Sequence, residues 1–264
     1  MSVKNLTYVF TDILRARIKA MIIVGNFKSY LSSKDDAEAV VKAAGKLTTK
    51  HKIILAPSFV HLGYVAAKKA GVALAAQDLS IFEGGAHTGE VSADVISNSG
   101  ASHVIVGHSE RRADGETNSI VATKVCQALS AKLNVVLCVG EESRDAHATY
   151  LSFITEQIVS ALKGIKEANF KNIVIAYEPV WAIGKESDEA ISTDDLEETV
   201  LFIKKVLQEN FTEKAMKAVK ILYGGSVNAE NVKSLMVPGL DGFLPGRASS
   251  SKETLKALIE AMDA

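Results

Sequence analysis

Six polar strings in this chain carry the residue types of acid–base chemistry on a phosphorylated molecule. They are Gly25-Asn26-Phe27-Lys28, Gln77, Gly107-His108-Ser109-Glu110-Arg111-Arg112, Tyr177-Glu178-Pro179-Val180-Trp181-Ala182-Ile183-Gly184, Tyr223-Gly224-Gly225-Ser226 and Pro245-Gly246-Arg247. A carboxylate such as Glu178 can serve as a base, and an imidazole such as His108 as a proton or hydrogen-bond donor. An ammonium such as Lys28 offers fixed positive charge. Glycine-bearing turns leave backbone N–H groups free to hold a dianion. Together these are the parts needed to move a proton next to a carbonyl on a phosphorylated substrate. Taken singly, each has a plainer reading: a solvated carboxylate, a structural histidine, a surface lysine, a turn glycine. Neither Gly-Lys pair has a glycine five residues earlier, so no P-loop is present. There is no H-E-x-x-H and no Cys–His cluster, so no metal is expected.

The strings gain meaning from where they fall. Each follows a short apolar run, and eight such runs occur: Met21–Gly25, Lys52–Ala56, Val72–Ala76, Ser102–Gly107, Asn134–Val139, Asn172–Tyr177, Val219–Tyr223 and Asp241–Leu244. They are rich in Val and Ile and do not alternate with polar residues, which is the texture of parallel strands buried on both faces. Helical segments lie between them. Ser32 or Ser33, with Asp35 or Asp36 three residues on, predicts a helix through Leu47. Ser192 with Asp195 opens another, along which Leu196, Val200, Ile203 and Leu207 recur at helical spacing. Ser250 with Glu253 opens the last, carrying Leu255, Leu258, Ile259 and Met262. Strand and helix alternating over a whole chain predicts α/β architecture with a parallel sheet, and eight units predict a closed single-domain (β/α)8 barrel over residues 21–264. An open doubly wound sheet is the runner-up, but no G-x-G-x-x-G follows the first strand. In such a barrel, active sites gather at the C-terminal ends of the strands, where all six strings lie.

Composition narrows the partners. With 264 residues and thirty basic against thirty-one acidic side chains, the net charge is −1, which argues against a general electrostatic grip on nucleic acid. Uncharged runs fall far short of the ~18 residues that cross a bilayer, so no membrane partner is expected. Two cysteines, Cys126 and Cys138, make no disulfide framework and fit a reducing, cytoplasmic setting. Residues 1–20 stand outside the repeat, with Lys4, Arg15, Arg17 and Lys19 against one acid, Asp12. They read as an N-terminal extension of three possible kinds: an appended or over-read start with Met21 as the functional beginning, a surface helix, or an organellar targeting segment.

Gly25–Lys28, Gly107–Arg112, Ala176–Gly184 and Tyr223–Ser226 resemble the triosephosphate isomerase family, in that family's order and spacing. The segment Gly85–Ser92 is similar to its dimer-forming third loop. The resemblance implies an isomerase of glycolysis and gluconeogenesis interconverting dihydroxyacetone phosphate and D-glyceraldehyde 3-phosphate through an enediolate, with no cofactor. It implies Glu178 as the base, His108 as a neutral-imidazole electrophile, Lys28 as positive charge over substrate and enediolate, and Asn26 as a substrate-binding partner of Lys28. This family is itself a standard worked example of such pKa tuning and lid closure. Glu110 would pair with Lys28, and Gly184, Ser226, Gly246 and Arg247 would hold the phosphate. Thr88 would reach the partner's catalytic residues in a homodimer. The chain departs from the family pattern at Phe27, Ser29-Tyr30, Asp78, His87, Lys185-Glu186-Ser187 and Pro245-Gly246-Arg247. Those departures bear on lid kinetics and dimer strength more than on the reaction. Another sugar-phosphate barrel, such as a Schiff-base aldolase using a lysine, and a non-catalytic barrel are the competing readings.

Overall fold

The computed structural model describes residues 19–68, 70–145, 147–184 and 191–264. The eight apolar runs form parallel strands β1 (Ile22–Asn26), β2 (Lys52–Ala56), β3 (Ala73–Ala76), β4 (His103–Val106), β5 (Asn134–Val139), β6 (Ile173–Tyr177), β7 (Lys220–Tyr223) and β8 (Gly242–Phe243). Each pairs with its neighbours in chain order, and β8 returns to β1 to close a barrel. Ile22 lies opposite Lys52 on one side and Gly242 on the other. A Cβ on Gly242 would stand 1.9 Å from the Ile22 carbonyl oxygen, so only glycine lets β8 approach β1. The ladder of β8 is two residues long, shorter than its apolar run. Hydrogen bonds continue on either side: Asp241 N–H donates to Ile221 O at 2.7 Å and Leu244 N–H to Tyr223 O at 2.8 Å.

The strands have two apolar faces because two cores need them. Val24, Ile54, Ala75, Ile105, Val136 and Leu222 fill the barrel interior. Their sequence neighbours, among them Ile23, Leu55, Val104 and Val135, point outward into the larger core under the helices. That arrangement explains runs without polar alternation.

The helices are α1 (Lys34–Ala44), α2 (Phe59–Ala67), α3 (Ala93–Asn98), α4 (Ser109–Ala113), α5 (Asn118–Ser130), α6 (Thr149–Leu162), α7 (Thr193–Asn210), α8 (Glu213–Ala218) and α9 (Lys252–Asp263). Ser33 caps α1 by accepting from Asp36 N–H, and Ser192 caps α7 by accepting from Asp195 N–H, each at 3.1 Å. Leu196, Val200, Ile203 and Leu207 are buried along α7. Two boundaries differ from expectation. α1 stops at Ala44 rather than Leu47, because Lys46 and Leu47 bond to Ala43 and Ala44, three residues back, in tightened turns. α9 is capped by Ser251 rather than Ser250. Ser250 Oγ is engaged by Arg247 O at 2.8 Å in the preceding turn, which leaves Ser251 Oγ to accept from Thr254 N–H at 3.1 Å.

The expectations for residues 1–18 and for Lys185-Glu186-Ser187 lie outside the described residues. Lys19 is described, and its ammonium sits 2.5 Å from Asp241 Oδ1. Among the described residues, no helix is long and apolar enough to cross a membrane.

Candidate active site

The C-terminal strand ends enclose a cavity of about 400 Å³. Asn26, Lys28, His108 and Glu178 line it. So do Gly184, Ser226, Gly246 and Arg247. Closure of the barrel brings these residues together from positions as far apart as 26 and 247.

At the end of β1 the backbone turns sharply. Lys28 has φ 45°, one of three non-glycine residues with positive φ among those described. Such a conformation costs on the order of 1 kcal/mol or more and needs support. Asn26 Oδ1 accepts from Lys28 N–H at 2.9 Å. The Gln77 carboxamide, at the end of β3, donates to Lys28 O and to Ala56 O, each at 2.9 Å. The Lys28 ammonium then lies 2.7 Å from Glu110 Oε1.

At the end of β4, His108 caps α4. Its Nδ1 accepts from Glu110 N–H at 3.2 Å. The backbone therefore selects the neutral tautomer with its proton on Nε2. Nε2 is 3.2 Å from Glu178 Oε1, and Ser109 N–H donates to Glu178 Oε2 at 3.0 Å. Glu178 is 2% exposed. Its stem packs beside the turn after β7, where a Cβ on Gly224 would come within 2.8 Å of Glu178 Cγ. Cys138, fully buried on β5, lies among the same groups; burial first, and then the charge of Glu178, push its thiol well above its ordinary range.

Ser226 Oγ accepts from Gly184 N–H at 3.1 Å and donates to Ala182 O at 3.4 Å. Gly246 stands beside Lys28, where an added Cβ would be 3.4 Å from Lys28 Cε. Thr88 lies on the exposed third loop and lines no part of this cavity. A second cavity, of about 580 Å³, runs from that loop to Asn26, Lys28, His108 and Glu110. At its floor Lys124 bonds both Asp78 oxygens at 2.7 Å, and Arg111 Nε is 3.3 Å from Asp78 Oδ2. Near the loop tip the His87 ring stacks on Phe82 with centroids 3.5 Å apart.

Sequence reasoning left three features without a role. Gln77 was visible as a polar strand end, but its target is a backbone carbonyl 49 residues away. Ser109 acts through its N–H, which no side-chain motif records. Glu141, after β5, gathers Tyr177 OH at 2.8 Å, Trp181 Nε1 at 2.9 Å and Arg144 Nε at 3.0 Å onto one oxygen. That hub anchors the start of the segment leading to Gly184. Among the described residues, no three His, Cys, Asp or Glu side chains are arranged to hold a metal ion.

The sequence profile of the triosephosphate isomerase family matches residues 21–262. The chain belongs to the triosephosphate isomerase family. A triosephosphate isomerase from Citrifermentans bemidjiense is 40% identical over 247 residues, covering 90% of this chain and 97% of the relative. One from Rhodopirellula baltica is 39% identical, covering 92% and 98%. One from Flavobacterium johnsoniae is 35% identical, covering 93% and 100%. The triosephosphate isomerase match thus takes in all eight strands and every string of the site, and begins at Met21, just after the amino-terminal segment.

Proposed function

We propose that Glu178, His108, Lys28 and Asn26 carry out the interconversion of dihydroxyacetone phosphate and D-glyceraldehyde 3-phosphate, the glycolytic reaction of this family. One observation carries the assignment: a buried carboxylate and an imidazole Nε2–H face each other across 3.2 Å at the mouth of the barrel. That gap is too small for a substrate carbon. To work, Glu178 leaves the Ser109 amide and turns onto the substrate, which then lies between base and imidazole. Glu178 removes the C1 proton of dihydroxyacetone phosphate and returns it at C2, while the hydroxyl proton passes from O1 to O2 by way of His108 Nε2. His108 donates Nε2–H to the oxygen on which charge develops, where a preorganised donor is worth most. The Lys28 ammonium faces the same charge, and Asn26 holds the Lys28 turn in place.

For the phosphate we assign the backbone N–H groups of Gly184, Ser226, Gly246 and Arg247. The Gly184 amide is engaged by Ser226 Oγ at 3.1 Å, so phosphate takes over a donor already aimed into the cavity. Arg247 occupies a position usually held by glycine in the family, yet still supplies its N–H. Glu110 acts by holding the Lys28 ammonium. That ion pair supports an electrostatic role for Lys28 over a Schiff-base one.

We further propose a homodimer, with Thr88 of each chain reaching the second cavity of its partner. The support is that this cavity already connects the third loop to Lys28 and His108. Both cysteines are free, which supports a cytoplasmic setting. Nucleic acid and membranes are not among the proposed partners.

A coupled assay with D-glyceraldehyde 3-phosphate tests the reading. Turnover without trapping by borohydride is expected. Covalent trapping of the substrate on Lys28, or no turnover, would overturn it.

A further inference from the structure

Arg112 differs from its neighbours in what it does with its charge. Arg111 lies near Asp78, Asp114 and Glu116, and Arg144 near Glu141 and Asp195. Arg112 has no carboxylate within 4.0 Å among the described residues. Its donors go to neutral acceptors: Nε to Gly107 O at 2.8 Å, Nη1 to Asn118 Oδ1 at 2.9 Å and Nη2 to Cys138 O at 3.3 Å. Burial disfavours the charged guanidinium there, with Cys138, Glu178 and Glu116 acting the other way. A largely buried cation without an ion-pair partner is costly, and an apolar side chain would fill the space more cheaply.

Those three bonds define what the group does. Gly107 is the residue before His108, and Cys138 lies near the end of β5, beside Glu178. The planar fork spans both carbonyls and so ties the end of β4 to the end of β5. Gln157 fixes Gly140, two residues on, donating to Gly140 O at 3.3 Å and accepting from Gly140 N–H at 2.8 Å. The segment so clamped presents His108 Nε2–H and Ser109 N–H to the base. A third cavity, of about 510 Å³, opens beside this clamp, lined by Ser109, Arg112, Gly140, Gln157 and Glu178.

We propose that Arg112 is a positioning residue for the isomerisation: it holds the β4 end so that His108 and Ser109 meet Glu178 in working register. This rests on the assignment of Glu178 as base and His108 as electrophile. A misplacement of about 1 Å at such a site costs about 10²-fold in rate. Among the described residues, Arg112 makes no hydrogen bond or ion pair with Gly184, Ser226, Gly246 or Arg247, so substrate binding is spared.

The test is Arg112→Ala with chemical rescue. Expected are a folded protein by circular dichroism, kcat lower by about 10²-fold, and KM within about threefold. The third cavity admits a guanidinium ion, so millimolar guanidinium chloride restores part of kcat while ethylammonium chloride does not. Loss of mere packing would instead be worsened by guanidinium. Arg112→Lys keeps the charge but lacks the fork, and is expected to stay impaired in kcat with KM unchanged. It also serves where the alanine variant does not fold. Wild-type kcat in either variant, or a folded alanine variant that guanidinium leaves unrescued, overturns the proposal. Inactivity of the unmodified protein would instead overturn the assignment of Glu178 and His108.

Discussion

His108 Nδ1 accepts the Glu110 backbone N–H at 3.2 Å, and this single bond dictates where the imidazole proton sits. With Nδ1 occupied as an acceptor, the remaining proton is on Nε2 and faces Glu178. Backbone geometry thus points the Nε2 donor of His108 at Glu178.

His108→Gln is therefore expected to lose rate more than binding. A glutamine amide can still donate, but its reach differs and the bond that strengthens on the enediolate is weakened. Steady-state kinetics should show kcat down by about 10²-fold or more with KM little changed. A rise in KM at constant kcat would make His108 a uniform binder instead.

A second histidine predicts acid sensitivity at the other end of the barrel. His103, 5% exposed, accepts from the Lys52 ammonium through Nε2 at 3.3 Å and bonds Ser102 Oγ through Nδ1 at 2.8 Å. Burial, and then the charge of Lys52, lower its pKa from 6.5 to about 4. The unfolded chain therefore takes up the proton first. The contribution is complete above pH 6.5 and drains away as pH falls towards 4, amounting to up to about 3 kcal/mol. His51, also held neutral by burial, acts in the same direction. Urea denaturation of His103→Gln should show a smaller loss of stability between pH 6.5 and 4 than the unmodified protein. Identical pH dependence would contradict the assignment.

Much of the fold was legible in the sequence because each unit is local. The two-faced apolar runs and the Ser33 and Ser192 caps involve residues close in sequence. The Ser251 cap was misread by one residue, since the competing bond of Ser250 to Arg247 belongs to a turn that no helical pattern announces. At the site, Glu178, His108 and Lys28 could be named from resemblance to a family and from their place at strand ends. What supports them could not. Gln77 reaches Lys28 O, Ser109 N–H reaches Glu178, and Arg112 reaches Cys138 O, each through a backbone group or across the barrel. Side-chain type and spacing carry no record of such bonds.

The proposed dimer rests on the third loop. Ser80 N–H bonds Val91 O at 2.9 Å, closing the loop at its root, while Phe82 on it remains 37% exposed. Phe59 and Val60 also face solvent. Sedimentation at micromolar concentration and neutral pH is expected to give twice the 28.2 kDa chain mass. Dilution should reduce specific activity, because assembly depends on protomer concentration. A fully active species of 28.2 kDa would refute the dimer.

The most direct measurement is turnover of Glu178→Asp with D-glyceraldehyde 3-phosphate in a coupled assay. Removing one methylene draws the carboxylate back by roughly 1 Å and leaves charge and fold in place, so kcat is predicted to fall by about 10²-fold or more. Turnover within a few-fold of the unmodified protein would remove Glu178 from the role of base and contradict the account.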